Sequence, residues 1–156
     1  MIRADSRGRS TKNSWPAPGT RTSRDPGTAA VQARVAASEA FYEPLLTQLG
    51  YVQIPRDDDG RAWERQDPAG GAQWLILTPV APEHRDAAAH DRTAPGFHHL
   101  ALNARDRAQV DRVHEVLVAA GADILDPPAE YDYNPGYYAV FARDPDGFKI
   151  EVVHIP

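Results

Sequence analysis

The chain has 156 residues, of which 42% are hydrophobic, and a net charge of −5 at neutral pH. A chain of this length forms one domain or two small fused modules. It contains no cysteine, which excludes disulfides, thiolate ligands and cysteine nucleophiles, so any chemistry must use His, carboxylate, Tyr or Arg side chains. No apolar run approaches the roughly 18 residues of a membrane span, and the first residues lack the apolar stretch of a secretory signal. We therefore predict a cytoplasmic protein without a membrane partner.

Residues 1–28 are rich in Ser, Thr, Arg, Gly and Pro and show neither a helical nor a strand period, which predicts a disordered tail. The first 30 residues carry six Arg or Lys side chains against two Asp side chains, so the remainder of the chain is strongly acidic. An acidic body is not a nucleic-acid surface. We expect no nucleic-acid partner.

The first folded region, residues 29–80, contains one well-patterned helix. The segment Ser38–Gly50 predicts a helix with Ser38 as its N-cap and Gly50 just beyond its end. Its apolar stripe is Phe41, Leu45, Leu46 and Leu49. Short strands are predicted at Tyr51–Ile54, Ala62–Arg65 and Ala72–Val80. The polar, alanine-rich residues 81–95 predict a linker.

The second region, residues 96–156, repeats this plan. Its predicted elements are strand Phe97–Ala104, helix Asp106–Ala120 and strands Ala122–Leu125, Tyr137–Arg143 and Phe148–Ile155. LVAAGADIL resembles LTQLGYVQI, and DPDGFKIEV resembles DPAGGAQWLI. A repeat of about 70 residues predicts an α+β fold of two βαβββ modules.

His99 and Glu151 are the strongest candidates for a functional site. Successive side chains of a strand point to opposite faces. In GFHHLALNA, Leu100 and Leu102 suit the helix-packed side, which leaves His99 on the open face beside the small Ala101. In GFKIEVVHI, the same alternation puts Glu151 on the open face. If the two strands are neighbours, an imidazole and a carboxylate converge, which suits Mn²⁺, Fe²⁺, Zn²⁺ or Ni²⁺.

A tyrosine-rich loop lies near this strand pair in the sequence. Tyr131, Tyr133, Tyr137 and Tyr138 flank the turn Asn134-Pro135-Gly136. They form either an aromatic lip over a cleft or ordinary packing. Tyr131, Tyr133 and Tyr138 are the candidate substrate-binding residues.

Four runs of the sequence stand out: GFHHLAL, RAQVDRVHEVLVAAGA, YDYNPGYYAVFARDPDGFKIEVVH and FYEPLLTQLGY. They resemble the vicinal oxygen chelate superfamily, which includes glyoxalase I, bleomycin- and fosfomycin-resistance proteins and extradiol dioxygenases. The resemblance implies a glyoxalase-like fold, in which the first and last strands of each module supply metal ligands. His99 and Glu151 match the second module's pair, so the resemblance implies a divalent metal (Mn, Fe, Ni or Zn), with Glu151 as ligand and catalytic base. Homodimers are common in proteins of this type, so a homodimer is a further expectation.

The first module departs from the superfamily pattern. Ala30 stands where the first histidine is expected, and the connection before Ser38 is short, so the first strand is predicted to be shortened or missing. Trp74 or Leu75 occupies the position equivalent to Glu151. Two readings therefore remain open. One is a metal-assisted lyase, isomerase or dioxygenase acting on a small molecule, and the other is a metal-free small-molecule binding protein of the antibiotic-binding type.

Overall fold

A computed structural model describes residues 27–56, 58–67 and 70–156. The predicted disordered tail, residues 1–28, lies outside these ranges except for Gly27 and Thr28. Within the described residues, eight strands form two four-stranded sheets, each with one long helix. The predicted α+β fold of two βαβββ modules is thereby confirmed. In the described part of the chain, no helix is long and apolar enough to cross a membrane.

The first module contains a first strand of six residues, so this strand is present rather than missing. Its elements are β1 Thr28–Ala33, α1 Val35–Gln48, β2 Val52–Ile54, β3 Arg61–Gln66 and β4 Ala72–Pro79. The sheet order is β1-β4-β3-β2, with β1 parallel to β4. What is short is the connection to the helix, which consists of Arg34 alone. The equivalent connection in the second module has three residues.

The second module has the same topology. Its elements are β5 Leu100–Asn103, α2 Arg107–Ala119, β6 Asp123–Glu130, β7 Tyr138–Arg143 and β8 Lys149–His154, in the sheet order β5-β8-β7-β6. Strand β6 runs on through Pro127 and Pro128, where a loop was predicted, with two breaks in its register. Prolines are tolerated there because β6 is an edge strand. Strand β5 begins at Leu100 rather than at the predicted Phe97. The Phe97 carbonyl accepts a hydrogen bond from the His90 ring rather than from a neighbouring strand.

Helix α1 begins three residues before the predicted N-cap, so the prediction for Ser38 is wrong. Ser38 is fully buried inside the helix, and its hydroxyl donates to Asp146 at 2.8 Å. The same carboxylate oxygen accepts a bond from the Arg34 backbone N–H at 2.9 Å, so a distant residue caps the helix. The predicted end is confirmed, since Gly50 has φ +83° and the Tyr51 N–H returns to the Leu46 carbonyl.

Both modules share one hydrophobic core. The apolar stripes of α1 and α2 pack against each other and against residues of both sheets, including Trp63, Leu75, Ile150 and Val152. The helices therefore cover one face of each sheet. The other face of the second sheet carries the predicted site.

Candidate functional site

The structure brings His99 and Glu151 into direct contact. Glu151 lies on β8 and is paired in register with Ala101 on the parallel strand β5. His99 immediately precedes β5, and its Nε2 lies 3.1 Å from Glu151 Oε2. The side chain of His99 is 36% exposed and that of Glu151 only 3%, so the imidazole forms the accessible side of the pair.

Strand alternation on β8 follows the predicted pattern. Ile150 and Val152 enter the shared core beneath the helices. Val153 belongs to a separate apolar cluster with Ala139 and Phe141 on the opposite face, where Phe141 pairs in register with Glu151. Ala101 is exposed next to Glu151, so a small side chain leaves room beside the carboxylate.

Tyr137, which is not among the predicted site residues, completes the environment of Glu151. Its hydroxyl donates a short hydrogen bond to Glu151 Oε1, while His99 faces the other oxygen. Burial, the hydrogen bond to Glu151 and the charge of that carboxylate raise the pKa of Tyr137 well above its usual value. The hydroxyl therefore stays protonated and donates to the carboxylate.

The remaining tyrosines divide between the two faces of the sheet. The Tyr131 ring lies edge-on to Phe141, with 5.4 Å between the ring centroids, and stacks with Tyr133, with 5.6 Å between the centroids. Tyr131 and Tyr133 therefore form an aromatic wall around Tyr137. Tyr138 lies on the helix side, where its hydroxyl donates to Asp111 at 2.8 Å. The open face thus holds Tyr131, Tyr133 and Tyr137, with Tyr138 directed away from Glu151.

Two further side chains extend the contacts outward from His99. His98 Nδ1 lies 2.7 Å from His99 Nδ1, and Arg92 Nη1 lies 3.4 Å from His98 Nε2. Partial desolvation and the neighbouring charges of His99, Arg92 and Lys149 lower the pKa of His98. The side chains of Arg92, His98, His99 and Glu151 are thus linked in a chain from the surface to a buried carboxylate.

The first module has no carboxylate or imidazole at the equivalent strand positions. Leu75 is buried in the shared core, whereas Trp74 lies on the other face and donates its indole N–H to Glu64 at 2.8 Å. Trp74, rather than Leu75, is therefore the first-module residue that faces away from the helices, as Glu151 does in the second module. Ala30 is exposed and pairs in register with Ile76. A cleft of about 250 Å³ between β1 and β5 is lined by both Trp74 and Ala101.

The donor set does not fit a tight divalent metal site. Metal-dependent catalytic sites typically hold the ion with three protein ligands. Among the described residues, no group of three or more His, Asp or Glu side chains could hold a metal. His99 and Glu151 supply two donors, and these point at each other. Each Glu151 oxygen already faces a hydrogen-bonding partner.

The fold and site define a protein of paired βαβββ modules with a His–Glu pair on the open face of the second sheet. Residues 28–152 match the Glyoxalase/Bleomycin resistance protein/Dioxygenase superfamily. The chain belongs to this superfamily, which confirms the resemblance found in the sequence.

Similar proteins come from several bacteria. The chain is 32% identical over 121 residues to the uncharacterised protein YqjT of Bacillus subtilis, a match that covers 75% of this chain and 88% of YqjT. A glyoxalase-type protein of Bacillus halodurans is similar in structure, with a TM-score of 0.65, 26% identity and coverage of 85% and 94% of the two chains. A glyoxalase/bleomycin resistance protein of Albidiferax ferrireducens has a TM-score of 0.59, 25% identity and coverage of 83% and 98%.

Proposed function

We propose that the protein is a small-molecule lyase or isomerase in which Glu151 accepts and returns a proton. The observation that carries this proposal is the contact set of the Glu151 carboxylate, which is bonded to Tyr137 and His99 and lies beside the exposed Ala101. A positioned carboxylate can abstract a proton next to a carbonyl group. The Tyr137 hydroxyl and the His99 imidazole hold this carboxylate in place on its two oxygens.

A compact organic molecule would fit beside this face of the second sheet. The cleft of about 250 Å³ is lined by Trp74 and Ala101, and Ala101 is the strand partner of Glu151, although Glu151 and His99 do not line the cleft themselves. Tyr131 and Tyr133 form an aromatic wall on the same face of the second sheet, and we assign them to substrate binding. Tyr137 replaces Tyr138 in this set because its hydroxyl reaches Glu151.

The proposed proton transfer uses no metal. Oxygenase chemistry at a non-haem iron commonly uses three protein ligands, two His and one carboxylate, and the described residues contain no group of three such side chains placed to hold a metal. The divalent metal implied by the resemblance stays a prediction. Titration with Mn²⁺, Zn²⁺, Ni²⁺ and Fe²⁺ tests it, and stoichiometric binding lost on His99→Ala would support a metal site.

Deuterium incorporation tests the function without knowledge of the substrate. The protein is incubated in D₂O and EDTA with small α-hydroxy ketones such as hydroxyacetone and dihydroxyacetone, and C–H exchange is followed by NMR. We expect exchange above background, reduced about 10²- to 10⁴-fold by Glu151→Gln. Tyr138→Phe is the matched control, because Tyr138 lies on the opposite face. Equal exchange in Glu151→Gln and the wild type would rule the proposal out.

A second candidate is a metal-free protein that binds a small molecule without transforming it. The observation that favours it is Trp74, whose indole is held by Glu64 on the face where a second carboxylate is expected. An indole offers a flat surface for stacking. Binding of the compounds that quenches Trp74 fluorescence, without deuterium exchange, would support this candidate over the enzyme.

The remaining expectations concern partners and location. We propose a small-molecule ligand, a cytoplasmic location and a homodimer. Light scattering coupled to size exclusion tests the last, since a dimer would have twice the 17.1 kDa mass of the chain.

A further inference from the structure

We infer that Arg92 and His98 are positioning residues that hold His99 in the tautomer with its hydrogen on Nε2, directed at Glu151. The inference deepens the proposed function, on which it rests, by assigning His99 as a hydrogen-bond donor to the proton-accepting carboxylate.

Arg92 fixes the polarity because a guanidinium group donates hydrogen bonds and accepts none. Its Nη1 lies 3.4 Å from His98 Nε2, so that nitrogen must accept. A neutral imidazole carries one hydrogen and one lone pair on its two nitrogens. With Nε2 as the acceptor, His98 carries its hydrogen on Nδ1.

The donor at His98 Nδ1 also determines the direction of the hydrogen bonds at His99 and Glu151. His98 Nδ1 lies 2.7 Å from His99 Nδ1, and because His98 Nδ1 donates, His99 Nδ1 accepts. The hydrogen of a neutral His99 is consequently on Nε2, which lies 3.1 Å from Glu151 Oε2. Tyr137 donates to the other oxygen. Every hydrogen bond in the network therefore points toward Glu151.

The opposite polarity would be needed for metal binding through His99 Nε2. A metal takes the lone pair of that nitrogen, which moves the hydrogen to Nδ1. His98 Nδ1 would then have to accept, and His98 Nε2 would carry a hydrogen facing Arg92 Nη1, which is also a donor. Arg92 thus favours the proton-donating form of His99 and opposes its use as a ligand.

Arg92 and His98 are exposed, so substitutions there test the inference without opening the core. The full chain is labelled with ¹⁵N-histidine, and long-range ¹H–¹⁵N NMR spectra at pH 8 identify the protonated nitrogen of each ring. His98→Gln and His99→Gln variants assign the signals. We expect hydrogen on Nδ1 of His98 and on Nε2 of His99.

Three arginine variants complete the experiment. Arg92→Met removes the donor and should give mixed tautomers of His98 and His99, whereas Arg92→Lys keeps a donor-only group and should restore the wild-type spectrum. Arg105→Met is the control, because Arg105 is an exposed arginine outside the network. We also expect Arg92→Met to bind Zn²⁺ about tenfold more tightly than wild type, in line with typical effects of groups that orient metal ligands.

Two results would overturn the inference: hydrogen on Nδ1 of His99 in the wild type, or identical tautomer populations in the wild type and Arg92→Met. The spectrum does not depend on turnover. Absence of deuterium exchange with the expected tautomers would therefore reject the proposed function and leave the polarity of the network established.

Discussion

Arg34 and Asp146, 112 positions apart in the chain, form an ion pair at 2.9 Å. Arg34 lies between β1 and α1, and Asp146 lies in the turn that leads into β8. The other oxygen of Asp146 accepts bonds from the Arg34 backbone and the Ser38 hydroxyl. The first module therefore holds the turn that begins the strand carrying Glu151.

Asp146→Ala should lower the free energy of unfolding by about 2–4 kcal/mol, because it leaves the buried Ser38 hydroxyl and the Arg34 N–H without an acceptor. Urea denaturation measures this loss. The control is Asp123→Ala, which removes an exposed pair with Arg143 at 3.1 Å and should cost less than about 1 kcal/mol. Equal losses in the two variants would mean that the Asp146 contacts add nothing beyond a surface ion pair.

Asp144→Asn should change how stability depends on pH. Burial raises the pKa of Asp144 above its usual value of 3.8, although hydrogen bonds from Phe148 and Tyr42 oppose the shift. At pH values between the pKa of Asp144 in the unfolded chain and its higher pKa in the folded protein, the folded state binds more protons than the unfolded state. A rise in pH through this range therefore makes the protein less stable. Asparagine does not titrate, and its Oδ1 can still accept from the backbone N–H groups of Asp146 and Phe148 while its NH2 donates to the Tyr42 hydroxyl.

Urea unfolding of both proteins from pH 4 to pH 7 measures this effect. The stability of Asp144→Asn relative to the wild type should improve as pH rises above 3.8. A constant difference across this range would contradict a raised pKa for Asp144.

Tyr137→Phe should both destabilise the protein and slow deuterium exchange. The substitution removes one donor from a carboxylate that is almost fully buried, at a cost of about 1–3 kcal/mol. Tyr133→Phe is the matched control for stability, since Tyr133 is 70% exposed and its hydroxyl has no hydrogen-bond partner in the described parts of the chain. It should change stability by less than about 0.5 kcal/mol. For exchange, the control is Tyr138→Phe, because Tyr138 lies on the opposite face. A Tyr137→Phe variant that unfolds like Tyr133→Phe and exchanges like Tyr138→Phe would contradict a role for the Tyr137 hydroxyl.

Gly147→Ala should destabilise the protein more than Gly121→Ala. Both glycines have positive φ, +92° and +72°, so both variants carry backbone strain of about 1 kcal/mol. An added Cβ at Gly147 would also lie 2.8 Å from the His90 backbone nitrogen, whereas one at Gly121 meets nothing within 4 Å. Thermal unfolding compares the two variants. An equal change in Tm would show that the linker around His90 moves to accommodate the added Cβ with no loss of stability.

The sequence predicted the placement of His99 and Glu151 because strand alternation is a local property. Leucines on one side of β5 and apolar residues on one side of β8 define the buried face, and the polar residues between them must face the other way. The helices were similarly predictable from their apolar stripes. These features depend on residues only a few positions apart.

The missed features depend on contacts between distant residues. The start of α1 at Val35 depends on Asp146, which no local pattern near Ser38 reveals. Selecting Tyr138 rather than Tyr137 reflects uncertainty in strand register, because a shift of one residue exchanges the two faces. The signal that could have identified Tyr137 was its even spacing from Ala139 and Phe141 within the predicted strand.

The core shared by α1 and α2 has a consequence for the two halves of the chain. Helix α2 packs against α1 as well as against its own sheet, so a second module expressed alone would expose the part of its apolar surface that α1 covers. We expect such a fragment to self-associate through this surface, as exposed apolar patches do. We also expect the two halves of the whole chain to unfold together.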